Sequence, residues 1–319
     1  MKLIGLVTFR NEELALPAHI ASVLPYVDEL VGLDHDSTDQ SPRVFEETAG
    51  SEPIKSPSWV RPWSSGGELD ARCLLLEEGR RRGGTHFLVL DADECLTPPA
   101  GRVLRSSLKA TPAGEALLMP WVICWKSTRR YRVGASQWNM PMLDFAFHDA
   151  PVLSYQTRGV LHVSRTPVPP EAKHRHIDPG QGGVIHYQFA FWEQTQIKQS
   201  WYQCIEWIDQ ENSAQGINRM YQASKDDEGA ETADLPDEWL PPVDPSAVSN
   251  QWRLDQIFSW FDEYGIEFFE PLDIWDVEAL RVEFQCRVGR LPEIKTGSDF
   301  WFRVRRSLMR SGRRLLALH

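Results

Sequence analysis

The sequence predicts an α/β fold: a Rossmann-type, mostly parallel central sheet flanked by helices, with a mainly helical carboxyl-terminal extension. Three observations carry this expectation. Short apolar runs alternate with segments of helical spacing through the first 100 residues, carboxylates gather where two of those runs end, and apolar positions beyond residue 190 recur at helical spacing.

Leu3-Ile4-Gly5-Leu6-Val7 with Thr8 and Phe9 reads as a first strand, and Arg10-Asn11-Glu12-Glu13 as the loop leading to an amphipathic helix over 16–24. Glu29-Leu30-Val31-Gly32-Leu33 is a second strand that runs into Asp34-His35-Asp36-Ser37-Thr38-Asp39, rich in carboxylates and turn formers. Residues 43–49 have helical character, and Ile54 begins a short third strand. Leu69, Cys73, Leu76 and Gly79 keep helical spacing over 67–82, with Asp70 and Arg72 near the start. His86 to Leu90 follows as the central strand.

From 117 to 165 the expected elements are strands at 117–123 and 160–163, a basic connection with Arg129, Arg130 and Arg132, and a polar, proline-bearing loop at 137–144. A glycine-rich turn, 180–183, precedes the strand-like Val184-Ile185-His186-Tyr187, and 191–221 is helical in pattern. Residues 225–249 are acidic and proline-bearing and read as a linker or exposed loop. Leu254, Ile257, Phe258 and Phe261 mark one helix beyond it, and Val277, Leu280 and Phe284 another. The expected division is therefore an α/β domain over 1–224, a linker at 225–249 and a helical extension at 250–319.

A chain of 319 residues with 42% hydrophobic and 25% charged residues is composed like an ordinary globular protein. A formal net charge of -11 argues against a surface that coats nucleic acid. Five scattered cysteines without a CxxC pair exclude a zinc motif and read as free thiols. No signal-peptide pattern opens the chain and no stretch reaches the roughly 18 apolar residues of a membrane span, so a cytoplasmic protein is expected. The last segment sets Arg303, Arg305, Arg306, Arg310, Arg313 and Arg314 against Trp301, Val304, Leu308 and Leu315. Such a basic amphipathic end suits either a solvated helix face or peripheral contact with an anionic membrane. Thirteen tryptophans suit helix packing, with one or two free to stack on a base or sugar.

The most informative segment is Leu88-Val89-Leu90-Asp91-Ala92-Asp93-Glu94, where an apolar run delivers three carboxylates within four residues. Carboxylates bind Mg²⁺ or Mn²⁺, ions that keep waters and bridge to phosphates, and open α/β sheets bind ligands beyond the carboxyl ends of their strands. A solvated turn is the competing reading of the tripeptide alone.

Taken together, Val7-Thr8-Phe9-Arg10-Asn11-Glu12-Glu13, Asp34-His35-Asp36-Ser37-Thr38-Asp39 and Leu90-Asp91-Ala92-Asp93-Glu94 resemble the nucleotide-sugar-binding half of family 2-like glycosyltransferases with the GT-A fold. The resemblance covers about the first 100 residues, and it implies that 1–224 is a catalytic domain, with nucleotide-sugar binding at 1–100 and the acceptor side at 101–224. It implies that Thr8, Arg10 and Glu12 line the nucleotide pocket, that Asp36 meets uracil or another base, and that Asp70 and Arg72 lie over the nucleotide. Asp91 and Asp93 match the DxD pair, Asp93 as direct metal ligand and Asp91 toward ribose or metal. His186 and Lys198 stand where related enzymes supply a late metal or diphosphate ligand, although a lone histidine is also a common structural residue. His162, His174 and His176 rank lower.

The chemistry needs one metal, Mn²⁺ or Mg²⁺, for the departing diphosphate and one base for the acceptor hydroxyl. Asp144 is the first candidate base, with Asp149 and His148 as competitors; Glu94 is either a supporting group or part of the acceptor side. The expected activity is transfer of a sugar, by inversion, from a nucleotide-sugar donor, a UDP-sugar first among these, to a glycan, lipid, peptide or small-molecule acceptor. A sugar nucleotidyltransferase is the alternative, but it prefers a glycine- and basic-rich phosphate loop where this chain has Phe9-Arg10-Asn11-Glu12-Glu13. A catalytically inactive nucleotide- or sugar-binding module is the non-enzyme alternative.

Overall fold

The structure, a computed structural model, describes residues 1–134, 139–156, 163–209, 212–225, 230–247 and 249–293. In chain order its elements are β1 (Leu3–Phe9), α1 (Leu16–Val23), β2 (Glu29–Asp34), α2 (Ser41–Ala49), β3 (Ile54–Lys55), α3 (Gly67–Arg81) and β4 (His86–Val89). Then come β5 (Glu94–Leu96), α4 (Pro98–Lys109), β6 (Ala116–Ile123), β7 (Arg130–Arg132), β8 (Met142–His148), β9 (His174–His176) and β10 (Val184–His186). The chain continues with α5 (Trp192–Asp209), α6 (Ala214–Lys225), β11 (Thr232–Asp234), α7 (Gln251–Tyr264) and α8 (Glu278–Val288).

Two compact units divide these elements. The first holds 1–191 and 230–249, and the second holds 192–229 and 250–319. In the first unit the main sheet runs β3-β2-β1-β4-β8-β6-β10-β5, with β9 beside the start of β6. β3, β2, β1 and β4 are parallel; β8 is antiparallel to both β4 and β6, so β6 runs in the direction of β4, and β10 runs parallel to β6. The carboxyl ends of β1, β2, β4, β6 and β10 therefore share one edge of the sheet. This is the α/β class expected, a mostly parallel sheet flanked by helices, and the second unit is helical.

Strand periodicity explains the apolar runs. Leu3, Val7 and Phe9 of β1 enter a core with Leu16, Ile20 and Val23 of α1 and Leu104 and Leu108 of α4, while Ile4 and Leu6 enter one with Ala71, Leu75 and Leu76 of α3. A strand covered on both faces has no polar side, so it reads as continuous hydrophobicity. Gly32 of β2 admits Phe45 of α2, whose ring carbons lie 2.6 Å from where a Cβ would stand, and Phe45 stacks on Phe9 at 5.4 Å.

Several elements depart from the sequence reading. Glu94–Leu96 forms a strand, β5, antiparallel to β10, that the sequence reading does not contain. Asp144, placed in a loop from sequence, lies inside β8, because Phe145, Ala146 and Phe147 are fully buried between β4 and β6. Residues 230–249, read as part of a linker, supply β11, which pairs with β7, and bury Leu235 and Trp239. The expected strand at 160–163 falls mostly outside the described residues, as do Gln137, Trp138, His162 and the basic end 301–319. All five cysteines are free. No helix among the described residues is long and apolar enough to cross a membrane.

Two buried histidines shape the pH dependence of folding. Burial, with smaller contributions from His148 and the amino terminus, holds His86 at about 4, and His86 stacks on His148 at 4.0 Å. Burial also lowers His19, whose Nδ1 donates to the Glu94 carbonyl at 2.8 Å. The unfolded chain takes up a proton near pH 6.5 that folded His86 refuses, so stability is complete above about 6.5 and falls as pH drops toward about 4. Denaturant unfolding across that range should show a loss of up to about 1.4 kcal/mol per pH unit from His86, and His86→Phe should flatten the slope.

Candidate active site

The loops after β1 and β2 are knitted together. The Asn11 amide donates to Ser37 Oγ at 3.0 Å, the Thr38 amide to Asn11 Oδ1 at 2.7 Å, and the Glu12 amide to Ser41 Oγ at 2.7 Å. Asn11 and Asp36 take left-handed backbone, φ 55° and 59°, which short polar residues tolerate better than most. Asp36 is exposed at the sheet edge. Arg10 lies beside it, its pKa lowered by burial against the opposing pull of Asp36 and Asp34. Thr8, half-buried near the end of β1, and the buried Glu12 complete this side of the edge.

The turn from β4 to β5 carries a network of charges. Glu94 has 0% exposure, and its carboxylate accepts from both terminal nitrogens of Arg165 at 2.6 and 2.7 Å, from Trp121 Nε1 at 2.8 Å and from the Asp91 amide at 2.9 Å. Arg165 also meets Asp91 Oδ2 at 3.0 Å, and Arg72 meets Asp91 Oδ1 at 3.0 Å and Glu68 at 3.4 Å. Burial raises the Asp91 carboxyl, but Arg165 and Arg72 outweigh it and hold the group at about 2. Burial pushes Glu94 up despite Arg165, with Asp91 and Asp93 adding to the cost of its charge.

Asp93 and His186 approach each other from β5's turn and the end of β10, with Asp93 Oδ2 3.5 Å from His186 Nε2. That separation is long for a hydrogen bond but suits two ligands of one ion at about 2.1 Å each. His186 is buried, its Nδ1 has no partner among the described residues, and Trp121 stacks on its ring at 4.8 Å. Gly183 sets β10 against β6, since a Cβ there would stand 2.2 Å from the Pro120 carbonyl oxygen. Among the described residues no group of three or more His, Cys, Asp or Glu side chains is placed to hold a metal. The pair nevertheless fits Mn²⁺ or Mg²⁺, which take one or two protein ligands with water and phosphate oxygens. Four carboxylates (Glu68, Asp91, Asp93 and Glu94) against two guanidiniums (Arg72 and Arg165) leave a formal -2, the complement of a divalent cation.

The remaining expected residues divide by position. Leu88 of β4 faces Ala146 of β8, so Asp144 lies beyond that pair toward the carboxyl edge, past a bulge of β8 against β6, and its carboxylate accepts from Thr166 Oγ1. Asp149 and His148 lie at the opposite end of β4: the Asp149 amide donates to Thr85 O and its carboxylate is gripped by Arg80 at 2.7 and 2.8 Å. That end is about 20 Å from Asp91 at 3.3 Å per strand residue. Glu94 is sealed from any acceptor. Asp70 is clamped to Arg61 at 2.8 and 2.9 Å and so anchors a loop. His174 and His176 flank the start of β6, away from the edge. Lys198 lies on α5, in the second unit. Arg165 and Trp121, both central here, were not singled out from sequence; Trp121 sat in an expected strand, and nothing local marks Arg165.

No protein-family model matches the chain, and no curated protein matches it. Among solved structures it is similar to glucosyl-3-phosphoglycerate synthase from Mycobacterium tuberculosis, crystallised with Mn²⁺ and UDP-glucose, at 24% identity over 38% of this chain and 43% of that one, TM-score 0.28. The same enzyme with phosphoglyceric acid gives 23% identity, 38% and 44% coverage and a TM-score of 0.27. Mannose-1-phosphate geranyltransferase from Thermus thermophilus gives 16% identity, 46% and 58% coverage and a TM-score of 0.31. The chain spans less than two thirds of the length of each.

Removing one partner of a buried pair leaves a charge without compensation, which costs about 3–5 kcal/mol. Arg165→Ala should destabilise the protein by that amount in denaturant unfolding, whereas the double change Arg165→Met with Glu94→Gln should recover most of the loss.

Proposed function

We propose that this chain is a metal-dependent glycosyltransferase that moves a sugar from a nucleoside diphosphate donor, UDP first among the candidates, to an acceptor nucleophile by inversion. The observation that carries this reading is the Asp93–His186 pair at the carboxyl edge of a parallel sheet, inside a cluster two charges short of neutral. A divalent ion held by that pair would neutralise charge as it develops on the departing diphosphate.

The chain's own groups supply the rest. Asp36, exposed beside Arg10, is placed to take a hydrogen bond from the base, and Thr8 and Glu12 line the same end of the sheet. Arg72 and Arg165 fix Asp91 from two sides, so the turn that carries Asp93 keeps its shape. Asp144 is the candidate base for the acceptor hydroxyl, being the one of the three proposed from sequence that lies toward this edge. Thr166 orients its carboxylate.

Thermal unfolding with a panel of nucleoside diphosphates, with and without Mn²⁺, tests the donor reading. A ligand at 100 times its Kd adds about 2.7 kcal/mol, a rise in Tm of roughly 5 °C. No shift with any nucleoside diphosphate in the presence of Mn²⁺ would sink the reading. Asp93→Asn and His186→Ala should each remove the Mn²⁺-dependent part of the shift; if both keep it, the metal lies elsewhere. Asp144→Asn should lower the transfer rate 10²- to 10⁴-fold, in the range of a lost general base, with donor binding unchanged.

A further inference from the structure

Among the described side chains Trp59 is the one exposed tryptophan, at 56%. It is displayed on a short, firmly tied turn. The Ser56 amide donates to Asp34 O at 3.0 Å, continuing the pairing of β3 with β2, and the Val60 amide donates to Pro57 O at 3.0 Å, which puts Ser58 and Trp59 at the centre of the turn. Val60 is buried. Just beyond, Arg61 makes four hydrogen bonds to Asp70 and His35: its amide and Nε donate to Asp70 Oδ2 at 3.0 and 2.8 Å, a terminal nitrogen donates to Asp70 Oδ1 at 2.9 Å, and its carbonyl accepts from His35 Nε2 at 3.0 Å.

Both ends of the turn are thus fastened to Asp34 and His35, the two residues that precede the exposed Asp36. The turn stands beyond the carboxyl end of β3, next in the sheet to β2, whose own end carries the exposed Asp36 with the Arg10 guanidinium beside it. An indole left in water on a rigid mount gains by covering its face with another ring, and base-on-aromatic stacking tolerates any base because every base has a π-face.

We propose that Trp59 is the stacking platform for the nucleobase of the donor, with Asp36 reading the edge of the same ring. This rests on the nucleotide-sugar reading above. It assigns affinity for the base to Trp59 and affinity for the diphosphate to the separate Asp93–His186 end, so the two contributions come apart experimentally.

The test is calorimetric binding of UDP, GDP, ADP and CDP, and separately of inorganic pyrophosphate, each with Mn²⁺, to the full chain and to Trp59→Ala and Trp59→Phe. Because Trp59 is exposed, both variants should keep the parent's Tm and circular dichroism. Trp59→Ala should weaken the bound nucleoside diphosphate about 10-fold or more, the loss of one stacked base, while Trp59→Phe keeps most of the affinity and pyrophosphate binds all three proteins alike. Equal nucleotide affinity in the parent and Trp59→Ala would overturn the stacking role and leave the donor reading standing. An equal loss for pyrophosphate and nucleotide would also overturn it, since stacking acts on the base alone. Failure of every nucleoside diphosphate to bind the parent would sink the donor reading and this assignment with it.

Discussion

The candidate site hangs on the buried carboxylate of Glu94. A charge taken out of water costs several kcal/mol unless its partners and hydrogen bonds are complete, and Glu94 meets that condition through Arg165, Trp121 and the Asp91 amide. Those three donors come from the 163–168 segment, from β6 and from the β4–β5 turn, so one side chain fixes three parts of the first unit. The same Trp121 that donates to Glu94 stacks on His186. The position of the histidine and the satisfaction of the buried acid are therefore one constraint: a change that frees Glu94 also loosens the ring that faces Asp93.

The network also accounts for the difference between Asp91 and Asp93. Asp91 faces two guanidiniums, which hold it at about 2 and occupy both its oxygens. Asp93, two residues on, faces a histidine. The turn between them, closed by the Glu94 amide on the Asp91 carbonyl at 3.0 Å, lets the two carboxylates part, one toward arginines and the other toward an imidazole. On the proposed reading this separates holding the turn from holding the ion, and it explains why the described residues provide a pair of ligands where the sequence suggested three.

Most of the sheet was legible because its strands are buried on both faces or end in turn formers, and both properties are local. The mesh of Asn11, Ser37, Thr38 and Ser41 could be anticipated from residue type, since short polar side chains bond to nearby backbone. Arg165 was not legible, as its role depends on Glu94, 71 residues earlier, and on the depth at which the two meet. Asp144, in β8, and Asp149, just past its end, show the same limit. Five residues apart, they rank first and second as candidate bases from sequence, and only the antiparallel register of β8 against β4 sends one toward the carboxyl edge and the other to the Arg80 clamp at the far end.

Register also governs His186. β10 is three residues long, and its final residue reaches the edge because Gly183 lies directly against the Pro120 carbonyl, fixing Val184 beside Trp121 and His186 beside Ile123. A slip of one residue would turn His186 to the other face of the sheet, away from Asp93. Gly183, at the end of the glycine-rich turn, is thus a spacing device: its lack of a side chain sets the register, and the register delivers the imidazole. The ligand pair is consequently a property of how β6 and β10 are aligned, and an insertion anywhere between Gly183 and His186 would dismantle it while leaving β1, β2, β4 and their loops in place.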